Sequence, residues 1–177
     1  MNIETSRLRA GEWLVTAAAL LLGIVLFALP WYGFVPTIAH GLAELGKPTD
    51  ATGWQSLEIL RWLILIVVLG GLAVGWLQAT RPAPAAPVCA TVLECAASVV
   101  LFVALVVRVI DVPSVLLAGA GVNTIEAKIG AYIGLVLTAA IVTGAYVSMR
   151  QDGIAEGDAP ARIETLRLTP RPAARGG

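Results

Sequence analysis

Val88 to Ile110 reads VCATVLECAASVVLFVALVVRVI, a run whose only charged residues are Glu94 and Arg108. At 1.5 Å per residue it is long enough to cross about 30 Å of hydrocarbon. Its apolar residues form one block, without the spaced stripe of a soluble helix or the alternation of a barrel strand. In lipid the backbone must satisfy its own hydrogen bonds, so a spanning helix is the form this stretch predicts.

Three further runs have the same character: Trp13 to Leu29, Ile59 to Ala79 and Ile129 to Met149. The first follows Arg7 and Arg9, as a secretory signal would, yet it exceeds a typical apolar signal core of about 7–15 residues. It also leads into Pro30-Trp31-Tyr32 in place of a small-residue cleavage site, which predicts an uncleaved helix. The chain of 177 residues is 58% hydrophobic and 14% charged, where a soluble domain carries about 45–50% and 25%. The surplus apolar surface needs lipid. The expected fold is all-α and polytopic: four transmembrane helices in an antiparallel bundle, at about 13–30, 57–79, 88–110 and 125–149, within a membrane domain spanning 13–149.

Arginine and lysine set the expected orientation. Arg7, Arg9, Arg81, Arg150 and the tail arginines Arg162, Arg167, Arg171 and Arg175 share one side, whereas the opposite loops carry only Lys47 and Lys128, with Arg61 and Arg108 just inside the membrane edge. The first side, holding residues 1–12 and a flexible tail at 150–177, is expected to be cytoplasmic, so both termini are cytoplasmic in a bacterial inner membrane. Trp31, Tyr32, Trp54 and Trp62 are expected at the outer interface, and Trp13, Trp76 and Tyr146 at the inner one.

The connections carry their own signals. In the outer loop 31–56, Pro36 can start a short interfacial helix, Phe34, Ile38, Leu42 and Leu45 share a stripe, and Gly46 can end it. Thr52 to Gln55 reads as a capping box opening the second helix, and Asn123 to Glu126 as a similar start for the fourth. Arg81-Pro-Ala-Pro-Ala-Ala-Pro87 predicts a stiff link of polyproline character. Pro30 and Pro113 sit where helices one and three should stop.

Ionisable residues inside a bilayer cost about 2.5–3.5 kcal/mol at its centre, so they are the first places to look for function. Glu94 and Arg108 lie about 40° apart around one helix and about 21 Å apart along it, too far for a direct pair but able to line one polar seam. Each is also close enough to an interface to extend its side chain there. Arg108 is expected to pair with Asp111 and Arg61 with Glu58, tying the second and third helices together. Glu94, Arg108, Arg61 and Asp111 are thus the candidate polar positions.

Other chemistry has little footing. His40 is the single histidine, and with Glu44 at i+4 it supplies two ligands, which do not make a zinc site. There is no nucleophile elbow, Walker A or dinucleotide fingerprint, and Gly119-Ala-Gly121 lacks a preceding strand. Cys89 and Cys95, six apart on one helix, point to different faces and are expected to be free thiols. With twelve basic and twelve acidic residues, no net field argues for nucleic acid. No enzyme, cofactor or metal is expected.

Small residues recur at four-residue spacing: Ala19 with Gly23, Gly71 with Gly75, Gly130 with Gly134, and Ala140 with Gly144. Such pairs let helix backbones approach closely. Gly71-Leu-Ala-Val-Gly75 also matches Ala140-Ile-Val-Thr-Gly144, each followed six residues later by Arg81 or Arg150, either a duplicated hairpin or, as expected, the small vocabulary that membrane helices share. Ile3-Glu-Thr-Ser-Arg-Leu8 differs at one position from Ile163-Glu-Thr-Leu-Arg-Leu168, either a shared partner motif or a coincidence of two polar termini.

Arg9-Ala-Gly-Glu12, Leu29-Pro-Trp-Tyr-Gly33, Gly53-Trp54, Ala79-Thr-Arg-Pro82, Arg108 with Asp111 and Pro113, and Gly144 to Arg150 with Asp152-Gly153 form a set. As a set they resemble a group of uncharacterised four-helix integral membrane proteins of GC-rich actinobacteria, over Arg9 to Gly153. The resemblance implies the fold and carries no activity. Likeness to claudin-like proteins stops at the helix count, because the paired cysteines of their first outer loop are missing. The expected role is a non-enzymatic accessory, scaffold or assembly partner in contact with the lipid bilayer and a membrane-protein partner or second copy. The alternative is a small transporter or channel component using Glu94 and Arg108.

Overall fold

The computed structural model describes residues 10–80, 85–111 and 125–151. Four helices, α1 (Ala10–Ala28), α4 (Leu60–Thr80), α5 (Ala85–Ile110) and α6 (Ile129–Gln151), are each long and apolar enough to cross a membrane. Between α1 and α4 the chain forms strand β1 (Pro30–Phe34), helix α2 (Pro36–Glu44), strand β2 (Asp50–Thr52) and the single turn α3 (Gly53–Ser56); β3 (Ile125–Ala127) precedes α6.

The long helices form a ring in which α1 packs on α4 and α6, and α5 packs on the same two. Val15, Leu22, Ile64, Val67, Leu101, Leu105 and Ile141 fill its interior with almost no exposure. The outward faces are equally apolar: Leu21, Ile24, Ile66, Leu69, Leu93, Val100 and Val136 are all largely exposed. Water would not tolerate that much contiguous apolar surface on a monomer.

Several of the spaced small residues are spent on contacts between α1 and its neighbours. A Cβ on Gly71 would lie 2.7 Å from the Cβ of Ala19, one on Gly75 would overlap the Thr16 hydroxyl, and Gly23 faces Val68. On the other side of α1, Gly11 and Gly144 meet backbone to backbone, a Cβ on Gly144 falling 2.9 Å from the Gly11 carbonyl. Contact at this range supplies the dispersion attraction that replaces the hydrophobic effect between helices in lipid.

The sequence reading lacked the three-stranded antiparallel sheet, of order β2-β1-β3, that gathers the chain at one end of the ring. In the central strand, Gly33 pairs with Asp50 on one side and Glu126 on the other. The register slips between Pro30 and Tyr32, leaving Trp31 as an extra residue. Such a bulge lets neighbouring side chains escape strict alternation, and Trp31 and Tyr32 are both buried. They therefore do not belong to the outer aromatic belt in which the sequence placed them. Trp54 is half-buried against the core, with Phe27 at 5.1 Å and Trp62 at 5.6 Å between ring centroids. Trp13, Trp76 and Tyr146 are about half exposed on their helices.

Trp31 explains several glycines at once. Its indole N–H donates to the Val25 carbonyl at 3.0 Å, and its ring lies against Gly53, Gly130 and Gly134, where added Cβ atoms would approach to 2.8, 2.7 and 2.5 Å. The Gly130 and Gly134 pair thus seats a side chain from the sheet.

Other boundaries move for local reasons. The Thr52–Gln55 box opens the one-turn α3, its Thr52 amide donating to Gln55 Oε1 at 3.2 Å, and α4 starts only at Leu60. Glu126 does not open the fourth helix, because residues 125–127 pair with β1 as a strand; Asn123 lies outside the described residues. Helix α5 begins at Ala85, so Pro87 falls in its first turn, where a missing N–H costs nothing. Helix α2 matches the expectation that Pro36 starts it and Gly46 ends it, Gly46 taking the left-handed φ of +67°. Phe34, assigned to its stripe, is in β1 instead. The Ile3–Leu8 and Ile163–Leu168 similarity, Pro113 and Gly119–Gly121 lie outside the described residues, as does the tail beyond Gln151.

Candidate functional site

Thr91, Glu94 and Ser98 fall at spacings of three and four on α5, which puts them on one helical face. That face turns into the bundle: Thr91, Glu94 and Ser98 are all buried, Glu94 with 4% of its surface exposed. The carboxyl therefore does not snorkel to an interface, as its position in the sequence allowed. It lies where α4 offers Gly70 and Gly71. Oε2 occupies the space that a side chain on Gly70 would fill, and Oε1 sits 3.5 Å from where a Cβ on Gly71 would be. Because Gly71 also abuts Ala19, the carboxyl stands where α5, α4 and α1 converge.

Two adjacent glycines in a helix cost about 1 kcal/mol each relative to alanine, and here they vacate the volume that a buried acid needs. Oε1 has no hydrogen-bond partner among the described residues. Ser98, one turn further along, donates to the Cys95 carbonyl at 2.9 Å and so does not reach back to it. A second acid, Glu12 in the first turn of α1, is also buried. An acid in the first turn complements the helix dipole, and neither that position nor spacing shows in the sequence that it turns inward.

The remaining candidates sit apart from Glu94 and make different bonds from those expected. No ion pair joins Arg61 to Glu58 or Arg108 to Asp111 within 4 Å, whereas Lys128 pairs with Glu126 at 2.7 Å. Arg61 is drawn instead to the aromatic residues beside it, its guanidinium 5.0 Å from the Trp54 ring centroid and 5.7 Å from that of Trp62. Its Nη1 donates to the Trp54 carbonyl at 3.3 Å. Such cation–π contacts are worth about 0.5–2 kcal/mol and outcompete an exposed carboxylate such as Glu58, which pulls weakly through water.

At the end of α5 the Arg108 carbonyl accepts the Tyr32 hydroxyl at 3.2 Å, fastening helix to sheet. Burial pushes the Tyr32 hydroxyl up to about 12, and the nearby Arg108 guanidinium offsets part of that rise. Asp111 is exposed, and its amide closes the helix by donating to Val107 at 2.7 Å. Glu94 and Arg108 therefore mark separate stretches of α5, one in the bundle interior and one where the helix meets the sheet.

Two clefts lie at the sheet end. One, of about 260 Å³, is walled by Tyr32, Phe34, Pro48, Asp50, Ala51 and Ile125. A second, of about 350 Å³ beneath α2, is bordered by His40, Asp50 and Lys128. Lys128 bridges strands there, its Nζ bonding the Phe34 carbonyl at 3.3 Å as well as Glu126. Among the described residues no group of three or more His, Cys, Asp or Glu side chains is placed to hold a metal ion. Cys89 and Cys95 are free thiols. No family model matches the chain, and comparison with curated proteins and with solved structures gives no match.

Proposed function

We propose that this chain is a multi-pass protein of the bacterial cell membrane, an antiparallel four-helix bundle with both termini cytoplasmic, acting as a non-enzymatic accessory or assembly partner. Kinship with the actinobacterial four-helix group belongs to the same proposal. The end of α1, the end of α5 and the start of α6 all reach the sheet, while the start of α1 packs on the end of α6. That alternation, with aromatic side chains exposed near both ends, supports four crossings.

The observation that carries the assembly role is the face of α5. It is the least buried of the four spans and presents Leu93, Val100, Val103, Val107 and Ile110 outward, Leu93 being 73% exposed. These recur at spacings of three, four and seven, the seam by which membrane helices associate. A photo-crosslinking residue at Val100, compared with one at the likewise exposed Leu21 of α1, tests this in native membranes. A discrete protein adduct specific to Val100 is expected; equal products from both positions would remove the basis for a partner.

A transporter or channel component is the second reading, favoured by the unpartnered oxygen of Glu94. That reading requires a polar route to the carboxyl, whereas on the α4 side it faces Gly70 and Gly71. It therefore needs an oligomer to build the path. In reconstituted vesicles Glu94→Gln would abolish proton or cation flux under this reading and leave flux unchanged under the first.

A further inference from the structure

We propose that Arg61, held between Trp54 and Trp62, binds the phosphodiester group of a membrane phospholipid at the sheet end of the bundle. This rests on the membrane-spanning reading given above. Arg61 is the second residue of the apolar span Leu60–Leu77, and Phe27 is the penultimate residue of the span Ala10–Ala28. Both therefore stand at the edge of the hydrocarbon layer, where lipid phosphates lie.

The charge there is uncompensated. A guanidinium carries five N–H donors. One goes to the Trp54 carbonyl, and Nε is buried with no acceptor among the described residues. No carboxylate lies within salt-bridge distance of Arg61 among those residues. The nearest acid in sequence, Glu58, is exposed and forms no such bridge, and α4 has no acid in its first turn. The start of α4 adds the positive end of its dipole at the same place.

The two indoles hold the guanidinium in one orientation, so little rotamer freedom is left to lose on binding an anion. With Nε turned inward, the Nη groups meet the ligand, and a planar pair of N–H donors fits two phosphate oxygens. Around this cation Phe27, Ile59 and Trp62 are more than half exposed, an apolar bed for acyl chains beside a polar head. A free anion needs only the first feature, whereas a phospholipid uses both.

The full chain, purified in detergent and titrated with phosphatidylglycerol, is read by native mass spectrometry. Wild type should retain a phospholipid that R61Q binds about tenfold more weakly, the loss of one charge-assisted pair. R61K, which keeps the charge without the planar fork, should fall between them, and K47Q, which removes an exposed cation at the end of α2, should match wild type. Equal binding by wild type, R61Q and R61K overturns the site, and so does equal weakening by K47Q. Displacement of the lipid by excess inorganic phosphate would assign the site to a free anion and overturn the lipid assignment. Membrane residence is read separately, by sedimentation of the protein with washed membranes. A soluble product would defeat the membrane reading, whereas a membrane-bound protein indifferent to R61Q defeats this site alone.

Discussion

A methyl group on Gly70 would fall on Glu94 Oε2, so the two positions form a lock whose halves can be changed separately. Gly70→Ala is expected to destabilise the bundle by about 1–3 kcal/mol, the usual cost of overfilling a packed site. In Gly70→Ala with Glu94→Ala the added methyl enters the vacated volume, and the combined loss should be smaller than the sum of the single losses. Thermal unfolding in detergent measures all three, and strict additivity would show that the residues do not touch. Trp31 has a comparable role at the sheet. Trp31→Ala should cost about 3–5 kcal/mol by cavity formation and the lost N–H bond, seen as a lower melting temperature. The sequence made Glu94 visible as an acid inside a greasy helix. Its inward direction was not visible, because that depends on Gly70 and Gly71 in another helix. Likewise the pair proposed for Arg61 followed from proximity along one helix, and tertiary neighbours, two indoles, decided otherwise.

Strands β2 and β3 have three residues each, too few to show a two-residue period, and each pairs with a strand whose residues read as a helix stop at Pro30, interface aromatics at Trp31 and Tyr32, and the stripe of the loop helix at Phe34. Long helices announce themselves through composition, whereas short strands owe their existence to a partner distant in the chain. Tyr32 reports whether that sheet is closed on the bundle. Its hydroxyl is raised from 10.0 to about 12 in the folded protein, so between those values the unfolded chain loses the proton first and the native state binds more protons. Stability from this group is complete below about pH 10 and declines as pH rises toward 12, by an amount on the order of 3 kcal/mol. Melting temperatures recorded from pH 9 to pH 12 should show this fall, and Tyr32→Phe should flatten it. A fall unchanged in Tyr32→Phe would place its origin elsewhere.

The four helices were legible because an apolar run of about twenty residues has few physical alternatives, while their closure into a ring was not, since α1 meets α6 through glycines at opposite ends of the sequence. Reporter fusions at Met1 and Gly177 should place both ends in one compartment, and fusions near Lys47 and Lys128 in the other. Opposite placement of the two termini would leave an odd number of crossings and undo the topology. The Trp31 seat has a consequence for synthesis. The indole leaves the ribosome early, Gly53 follows it, and Gly130 and Gly134 emerge about a hundred residues later. Until then the side chain has only part of its berth, and a nascent chain cut short before α6 would display an unclaimed aromatic ring to the quality-control proteases of the cell.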